Sequence, residues 1–442
     1  MFYINKDTEL NSALLSKMIQ KFNSSTLPQL QKWENYYKGK HIILNKTYKD
    51  ETKECNHIVT NYCKIIADTY SGYICGKPVS YTSNEDIQEL QDAINYNDDS
   101  SENISWCSNA LIYGVGYELQ WLDKNAQVRY AQVNPLSAFA VYDNTLDCEL
   151  LYFVRWYKAD NFDGDSTVYV QVYSIDKVTT YKTTELFGNF EFVEEAQHYF
   201  KDVPVSVFWL NDAQESIFHS IMTLNDAYNE LQSSEIDDFN AWVDAYLVLM
   251  GVDAETDDIT SMKENRVLVL PENAQAQWLV KNASDTQIVN MLDNIKENIF
   301  KVTACPDMAD ENFLAQSGTA LAYKLVGFEN VASGIVARFT KAIQRRIELI
   351  CNILDTKAAE VVWRDVNINF VRNLPVNMTE TIQLVNSLKG IVSDKTLLSQ
   401  LPFIDDIEGE LEALEAQKQA NMEMYSFGDP NATNDEDEEE VE

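Results

Sequence analysis

Basic residues are scarce in this 442-residue chain. Its 34 Lys and Arg stand against 70 Asp and Glu, for a formal net charge of −36. That imbalance excludes tight wrapping of nucleic acid and seating on an anionic membrane, because both need clustered cations. It does not exclude DNA that slides past without sticking. Long apolar runs are missing too, and none approaches the 18 or so residues of a membrane span. The opening residues Met1–Asp7 hold no apolar signal core. The seven cysteines are odd in number and scattered (Cys55, Cys63, Cys75, Cys107, Cys148, Cys305, Cys351), so reduced thiols in a cytosol are the expectation.

Sites of chemistry are equally thin. Residues 72–77, Gly-Tyr-Ile-Cys-Gly-Lys, resemble a phosphate loop. The spacing is one residue short, Pro78 stands where a magnesium-binding hydroxyl belongs, and no strand clearly precedes it. It reads as a structural turn. Gly114 and Gly116 form a lone Gly-X-Gly. Cys55, His57 and Cys63 match no zinc spacing, and His57 and Cys63 read as core-facing. His41, His198 and His219 are isolated, so nucleophilic catalysis has little support. Two acidic clusters, Asp307/Asp310/Glu311 and Asp405/Asp406/Glu408, have the residue type of a two-metal nuclease. On so acidic a chain they read more simply as solvated surface. No enzyme, cofactor or bound metal is expected.

The pattern along the chain is clearer. Residues 8–23, 28–38, 56–70, 85–95 and 101–113 read as helices, with Pro28 in a first turn and breaks at Gly72, Gly76 and Pro78. From Gly116 to Leu210 the period becomes alternating, as in VYVQVYSI over 168–175, and predicts a mostly antiparallel β region. Helix returns after Asn211. Ile217, Leu224 and Leu231 recur every seven residues, as do Ile221 and Tyr228, which suits either side-by-side helices or an ordinary buried amphipathic helix. Short strands follow between 245 and 282, two more over 359–372, and helix over 378–420.

The chain centres on residues 285–354. Ile288, Met291, Leu292, Ile295, Ile299 and Val302 form one apolar stripe at helical period. Pro306 stops that helix. An acidic loop runs to Ser317, and a long helix starts at Gly318-Thr319-Ala320. Its apolar face is Leu321, Leu325, Phe328, Ile335, Phe339, Ile343, Ile347 and Ile350. Gly327 and Gly334 inside it point to a kink or a close neighbour.

This order resembles the portal proteins of tailed bacteriophages, in particular the SPP1-like portal family. The matching pieces are CPDMADENFLAQSGTALAYKLVGFEN (305–330), FTKAIQRRIEL (339–349), NHIVTNYCKIIADTYSGYICGKPVSY (56–81), LNDAYNELQSSEIDDFNAWVDAYLVLMG (224–251), GYELQWLD (116–123) and QVNPLSAFAVYDNT (132–145). The resemblance implies an α+β portal-type fold with long stem and tunnel helices, a mixed α/β wing, a small β-containing clip and a helical C-terminal crown. By it, residues 1–210 are wing, 211–250 and 286–304 stem, and 251–285 clip. Residues 305–317 are the tunnel loop, 318–355 the tunnel helix, 356–377 wing strands, 378–425 crown and 426–442 an acidic tail. Pro306, Asp307, Met308, Asp310, Glu311, Asn312, Phe313, Gln316 and Ser317 would face DNA, with Gly318 and Thr319 opening the helix behind them. The implied protein is a dodecameric ring at one capsid vertex of a virion, assembled in the host cytoplasm. Double-stranded DNA is packaged and ejected through it. Its partners are copies of itself, the terminase large subunit, a head-completion or connector protein, scaffold and the major capsid protein, with no membrane. A metal-dependent nuclease and an acidic protein–protein adaptor are the alternatives.

Residues 281–346 carry eight bases and seven acids, a net of +1 in a chain of −36. Lys296, Lys301, Lys324, Arg338, Lys341, Arg345 and Arg346 are thus candidate contacts to DNA or to a neighbouring subunit, with pairing to acids in the same helices weighed equally. Residues 405–442 hold fifteen acids and one base, Lys418. The tail within it, residues 426–442, is too charged and too poor in apolar residues to order itself. Truncation after Phe427 should leave assembly intact, with native mass giving the same number of subunits as the full chain.

Overall fold

The computed structural model describes residues 2–48, 55–160, 166–184, 190–243, 246–250, 275–279, 285–309, 318–356 and 361–373, then 378–398, 401, 404, 409–411 and 413–418. Two compact units divide the chain, Met1–Asn373 and Leu374–Glu442.

The first unit begins with strand β1 (Phe2–Ile4) and helix α1 (Ser12–Lys21), which Asn11 caps by accepting the Leu14 N–H at 2.9 Å. The two helices expected over 8–38 are joined without a break. A single π turn, Phe22–Thr26, runs α1 into α2 (Leu27–Tyr37), and Ser25 donates its hydroxyl to the Lys21 carbonyl there at 2.7 Å.

Residues 55–61 are extended rather than helical, and α3 (Tyr62–Cys75) starts late. It also runs through Gly72 instead of stopping there. The stop falls at Gly76, where a Cβ would come within 2.2 Å of the Gly72 carbonyl oxygen and 2.5 Å of Asn373 Nδ2. Strand β2 (Ser80–Thr82), α4 (Gln88–Asn95) and α5 (Asp99–Tyr113) follow, and Gly114 ends α5 at φ 74°.

The alternating stretch folds as expected. Its strands are β3 (Val115–Leu122), β4 (Val128–Val133), β5 (Ala138–Asp143), β6 (Leu150–Asp160), β7 (Ser166–Tyr173), β8 (Lys177–Thr183), β9 (Glu191–Gln197) and β10 (Val205–Trp209). One sheet has the order β1-β5-β6-β7-β8-β9, antiparallel except for the β1–β5 pair; the other is β10-β3-β4. Inward residues of both sheets pack together, with Tyr117 and Leu119 of β3 against Ala140 and Phe153.

Helix α6 (Met222–Val243) and the antiparallel pair β11 (Tyr246–Met250) and β12 (Gln275–Leu279) come next. Then come α7 (Asp285–Thr303) and the 39-residue α8 (Gly318–Thr356). Of the two strands expected over 359–372, the described residues form one, β13 (Asn367–Asn369), which pairs with β2. Trp363–Asp365 is a 3-10 turn instead. The second unit holds α9 (Met378–Leu388) and α10 (Asp394–Leu398), with further helical residues at 409–411 and 413–418.

Helix α6 packs alongside α7, and Leu224, Tyr228 and Leu231 of its seven-residue repeat are half-buried. Ile217 and Ile221 precede the helix, and the fully buried positions are polar: Asn225, Asn229 and Ser233. With Asp237 they stand four apart. Each accepts a backbone N–H from alternate residues of the extended strap. Tyr62 donates to Asn225 at 3.1 Å, Thr60 to Asn229 at 2.9 Å, Ile58 to Ser233 at 3.0 Å and Asn56 to Asp237 at 2.8 Å. The match is geometric. Four helical residues rise about 6 Å and two extended residues about 6.6 Å, so the two ladders stay in step. Asn225 also donates to the Thr60 carbonyl at 2.7 Å.

Asn225→Leu would take the side-chain partner from the Tyr62 N–H and the Thr60 carbonyl and leave them only their longer bond to each other, at 3.2 Å. It should cost about 2–4 kcal/mol in thermal or denaturant unfolding. Asp237 gives a pH test. Burial works against its charge, but hydrogen bonds from Asn56 and Tyr48, together with Lys46, hold its pKa below the usual 3.8. Its contribution is therefore complete above 3.8 and is lost as pH falls below 3.8 through the lower folded-state pKa. Asp237→Asn should flatten this acid limb of the stability curve.

Candidate functional site

The centre of interest is the corner where α7 ends and the chain turns toward α8. Thr303 bonds its hydroxyl to the Ile299 carbonyl at 2.9 Å, and Ala304 takes a left-handed φ of 51° that ends the helix. Tyr70 of α3 donates to the Thr303 carbonyl at 2.8 Å and fixes the corner to the rest of the unit. Cys305 is buried, and burial pushes its thiol up to about 12, so it is packing rather than a nucleophile. Asp307 pairs with Lys296 at 2.7 Å and accepts the Ala309 N–H at 3.0 Å. Met308 is exposed. Asp310, Glu311, Asn312, Phe313, Gln316 and Ser317 lie outside the described residues, as do Lys281, Asp405, Asp406 and Glu408. Gly318 and Thr319 form the first turn of α8.

The apolar face read for α8 is the buried one: Leu325, Phe328, Ile335, Phe339, Ile343, Ile347 and Ile350. Phe339 stacks on Phe208 at 4.5 Å and meets Trp106 edge-on at 5.4 Å. A Cβ on Gly327 would make only ordinary contact with Ala304 at 3.8 Å, so α8 lies against the corner there without needing a glycine. Gly334 meets nothing within 4 Å. The α7 stripe is split. Ile299 is buried, but Met291 and Val302 are 55% and 56% exposed. On α8, Tyr323 and Val326 are exposed as well.

The candidate basic contacts separate into three groups. Lys301 pairs with Glu297, Arg338 with Asp212, and Arg345 with Asp202 and Glu348. Lys324 and Lys341 are exposed on α8 and make no ion pair with the described residues. Arg346 has to be withdrawn from the candidates, because it is 0% exposed. It binds Glu118 of β3 through two nitrogens, at 2.9 and 2.5 Å, and reaches Asp99 at the start of α5 at 2.5 Å. Its guanidinium lies over Trp106 and Tyr130, 5.0 and 4.5 Å from the ring centres. Burial opposes the charge, but Glu118, Tyr130 and Asp99 outweigh it and raise its pKa further. The sequence held a signal for this. Arg346 follows Phe339 by seven and Ile343 by three, squarely on the apolar stripe.

The remaining motifs are structural. Residues 72–77 are the last turn of α3 and its cap. Cys63 is buried, as read, but His57 is exposed and ties the strap to the Lys46 carbonyl at 2.8 Å. Cys55 lies 3.7 Å from His57, while Cys63 contacts Asn225 instead. Among the described residues no three His, Cys, Asp or Glu stand close enough to hold a metal ion. None of the described helices is long and apolar enough to cross a membrane.

A family model described as "Phage portal protein, SPP1 Gp6-like" matches residues 17–424. The chain belongs to the SPP1-like phage portal family. Among curated relatives, the portal protein of Bacillus phage SPP1 is 22% identical over 458 aligned positions, covering 94% of this chain and 88% of the relative. The portal protein of Clostridium phage phiCD119 is 20% identical over 407, covering 85% and 89%. A solved structure, the neck of an empty GTA particle computed with C6 symmetry, superposes with a TM-score of 0.45 at 11% identity. That likeness covers 77% of this chain and 88% of the other.

For this portal-family chain the placement of Arg346 gives a sharp test. Arg346→Met leaves Glu118 buried without its partner and should cost about 3–5 kcal/mol in unfolding. Lys324→Ala and Lys341→Ala, on the exposed face, should each change stability by less than about 0.5 kcal/mol.

Proposed function

We propose that the chain is the subunit of a portal: a homo-oligomeric ring, dodecameric in the virion, at one capsid vertex. Double-stranded DNA passes through it during packaging and ejection. The observation that carries this reading is the family match over residues 17–424 of 442. In this reading α6 and α7 are the stem, 251–285 the clip, 305–317 the tunnel loop and α8 the helix behind it. Residues 1–210 and 356–377 are the wing, 378–425 the crown, and 426–442 a tail. The chain would dock the terminase large subunit and a head-completion or connector protein, and contact scaffold and major capsid protein. It would act without catalysing a reaction and assemble in the host cytoplasm.

Physical features of the described residues support the ring. Met291 and Val302 on α7, with Tyr323 and Val326 on α8, leave apolar surface that one chain does not cover. Neighbouring copies in a closed ring would cover it. The nuclease alternative gains nothing from Asp307, whose charge is already matched by Lys296.

Native mass measurement and negative-stain imaging of the purified protein should show a closed ring with a central hole. A monomer at assembly concentrations would overturn the reading. DNA binding provides a second test. A protein that neutralises Z phosphates loses affinity with salt at a log–log slope of about −0.9Z. Lys301, Arg338, Arg345 and Arg346 are engaged within the chain, so few cations per subunit remain. Free duplex should bind weakly near physiological salt, with a shallow slope and no magnesium-dependent cleavage. Tight, steeply salt-dependent binding would count against a sliding channel.

A further inference from the structure

Away from the α7–α8 corner, the first unit contains a cavity of about 420 Å³ with an unusual lining. The π turn after α1, the start of α2, the end of α5, β3 and the loop after β10 enclose it. Its walls are aromatic: Trp33, Tyr113, Tyr117, Phe139 and Trp209. The rings are held by one another. Trp209 meets Tyr117 edge-on at 6.5 Å, and Trp33 meets His219 edge-on at 5.7 Å.

One lining residue is an acid, Glu215, and none of the described lining residues is Lys or Arg. The Glu215 backbone is clamped by Asn211. Its N–H donates to the Asn211 side chain at 3.0 Å, and its carbonyl accepts from that side chain at 2.8 Å. The loop carrying it sits directly on the α5–β3 corner. A Cβ on Gly114 would lie 2.5 Å from the Gln214 backbone, and Gln214 itself adopts φ 58°. The acid is therefore placed by rigid backbone.

The neighbour of Glu215, His219, is held by Trp33. Trp33 donates its indole N–H to His219 Nδ1 at 3.1 Å. An indole nitrogen only donates, so Nδ1 accepts and is already occupied by Trp33. The other ring nitrogen, Nε2, stands 3.7 Å from the Glu215 carboxylate. A carboxylate beside electron-rich ring faces, with no Lys or Arg among the described lining residues, is the chemistry that recognises an organic cation. The long-range field of a chain at −36 would concentrate such cations nearby.

We propose that this cavity binds an alkylammonium or alkylguanidinium group. Its stem lies against the aromatic walls and its charge is held by Glu215. Two sources share that chemistry, a free small cation and an Arg or Lys side chain presented by another polypeptide. The site does not depend on ring formation, and a chain that formed no ring would still bind.

Calorimetric titration of the full-length protein tests it, with butylguanidinium, the uncharged butylurea, and the peptide acetyl-Gly-Arg-Gly-amide as probes. Butylguanidinium should bind saturably, with butylurea at least about tenfold weaker. Glu215→Gln should weaken the cation about tenfold, the loss expected for one charge-assisted contact. Trp33→Phe should weaken it less. Glu89→Gln, which removes the same charge from exposed α4, should change nothing. Circular dichroism and melting would establish that the Glu215 variant is folded. Binding of the peptide as tight as that of butylguanidinium identifies a side chain as the source, and binding of the small cation alone identifies a free cation. Absence of saturable binding by either cation, equal binding of butylurea, or an unchanged affinity in folded Glu215→Gln would each overturn the proposal.

Discussion

Arg346 occupies a place that the rest of α8 fills with hydrocarbon. Taking its charge out of water costs several kcal/mol unless partners compensate it fully. The compensation here draws on the whole first unit. Glu118 comes from β3 and Asp99 from the first turn of α5. Asp99 in turn accepts from Tyr81 of β2 at 2.9 Å, Tyr130 of β4 at 3.0 Å and Asn103 one turn on in α5 at 2.8 Å. Five elements thus converge on one guanidinium. A hydrocarbon contact would tolerate sliding of α8 along its groove. A forked donor between two carboxylates fixes the helix in a single register, because a shift of one residue would leave three charges unpaired.

The same logic of buried polar groups holds the strap on α6. An extended chain segment beside a helix has no strand partner for its backbone, and unpaired N–H groups there would be costly. The helix supplies side-chain acceptors at four-residue spacing instead. Arg372, Tyr73 and Glu329 repeat the device at smaller scale. Arg372 reaches Glu329 at 3.0 Å, and Tyr73 donates to the same carboxylate at 2.5 Å, linking α3 and the segment after β13 to α8. Long helices and extended segments are tied together by directed bonds where apolar packing alone would leave their relative position loose.

These devices mark where the sequence was legible and where it was not. The apolar stripe of α8 and the strand character of β3 to β10 follow from periodicity, although β5 is buried on both faces and β9 is exposed on both. The α6 repeat told only part of the story: Leu224 and Leu231 are half-buried on a helix that lies along α7, while the fully buried positions are Asn225, Asn229 and Ser233. Polar residues at core spacing look like surface until their partner is known, and the partner here is a backbone some 170 residues away in the chain. The late start of α3 has the same cause: the N–H groups of Asn56, Ile58, Thr60 and Tyr62 are bonded to α6 side chains. Arg346 was grouped with surface bases on charge, although its position on the stripe argued otherwise. The cavity beside Trp33 left no local signal, because its walls come from four separate stretches.

The distribution of paired charge bears on the proposed channel. Near-neutrality of residues 281–346 looked compatible either with bases facing DNA or with bases spent on neighbouring acids. The structure favours the second for most of them: Lys296, Lys301, Arg338, Arg345 and Arg346 each meet a carboxylate within the chain. Such pairs cancel charge without creating a basic surface. If the proposed channel is lined by this stretch, its wall would neither hold a phosphate backbone nor repel it as strongly as the −36 average would. Low friction then needs no special lubricating residues. It follows from cations that are satisfied before DNA arrives, because a sliding polyanion has to break every strong contact it makes at each step.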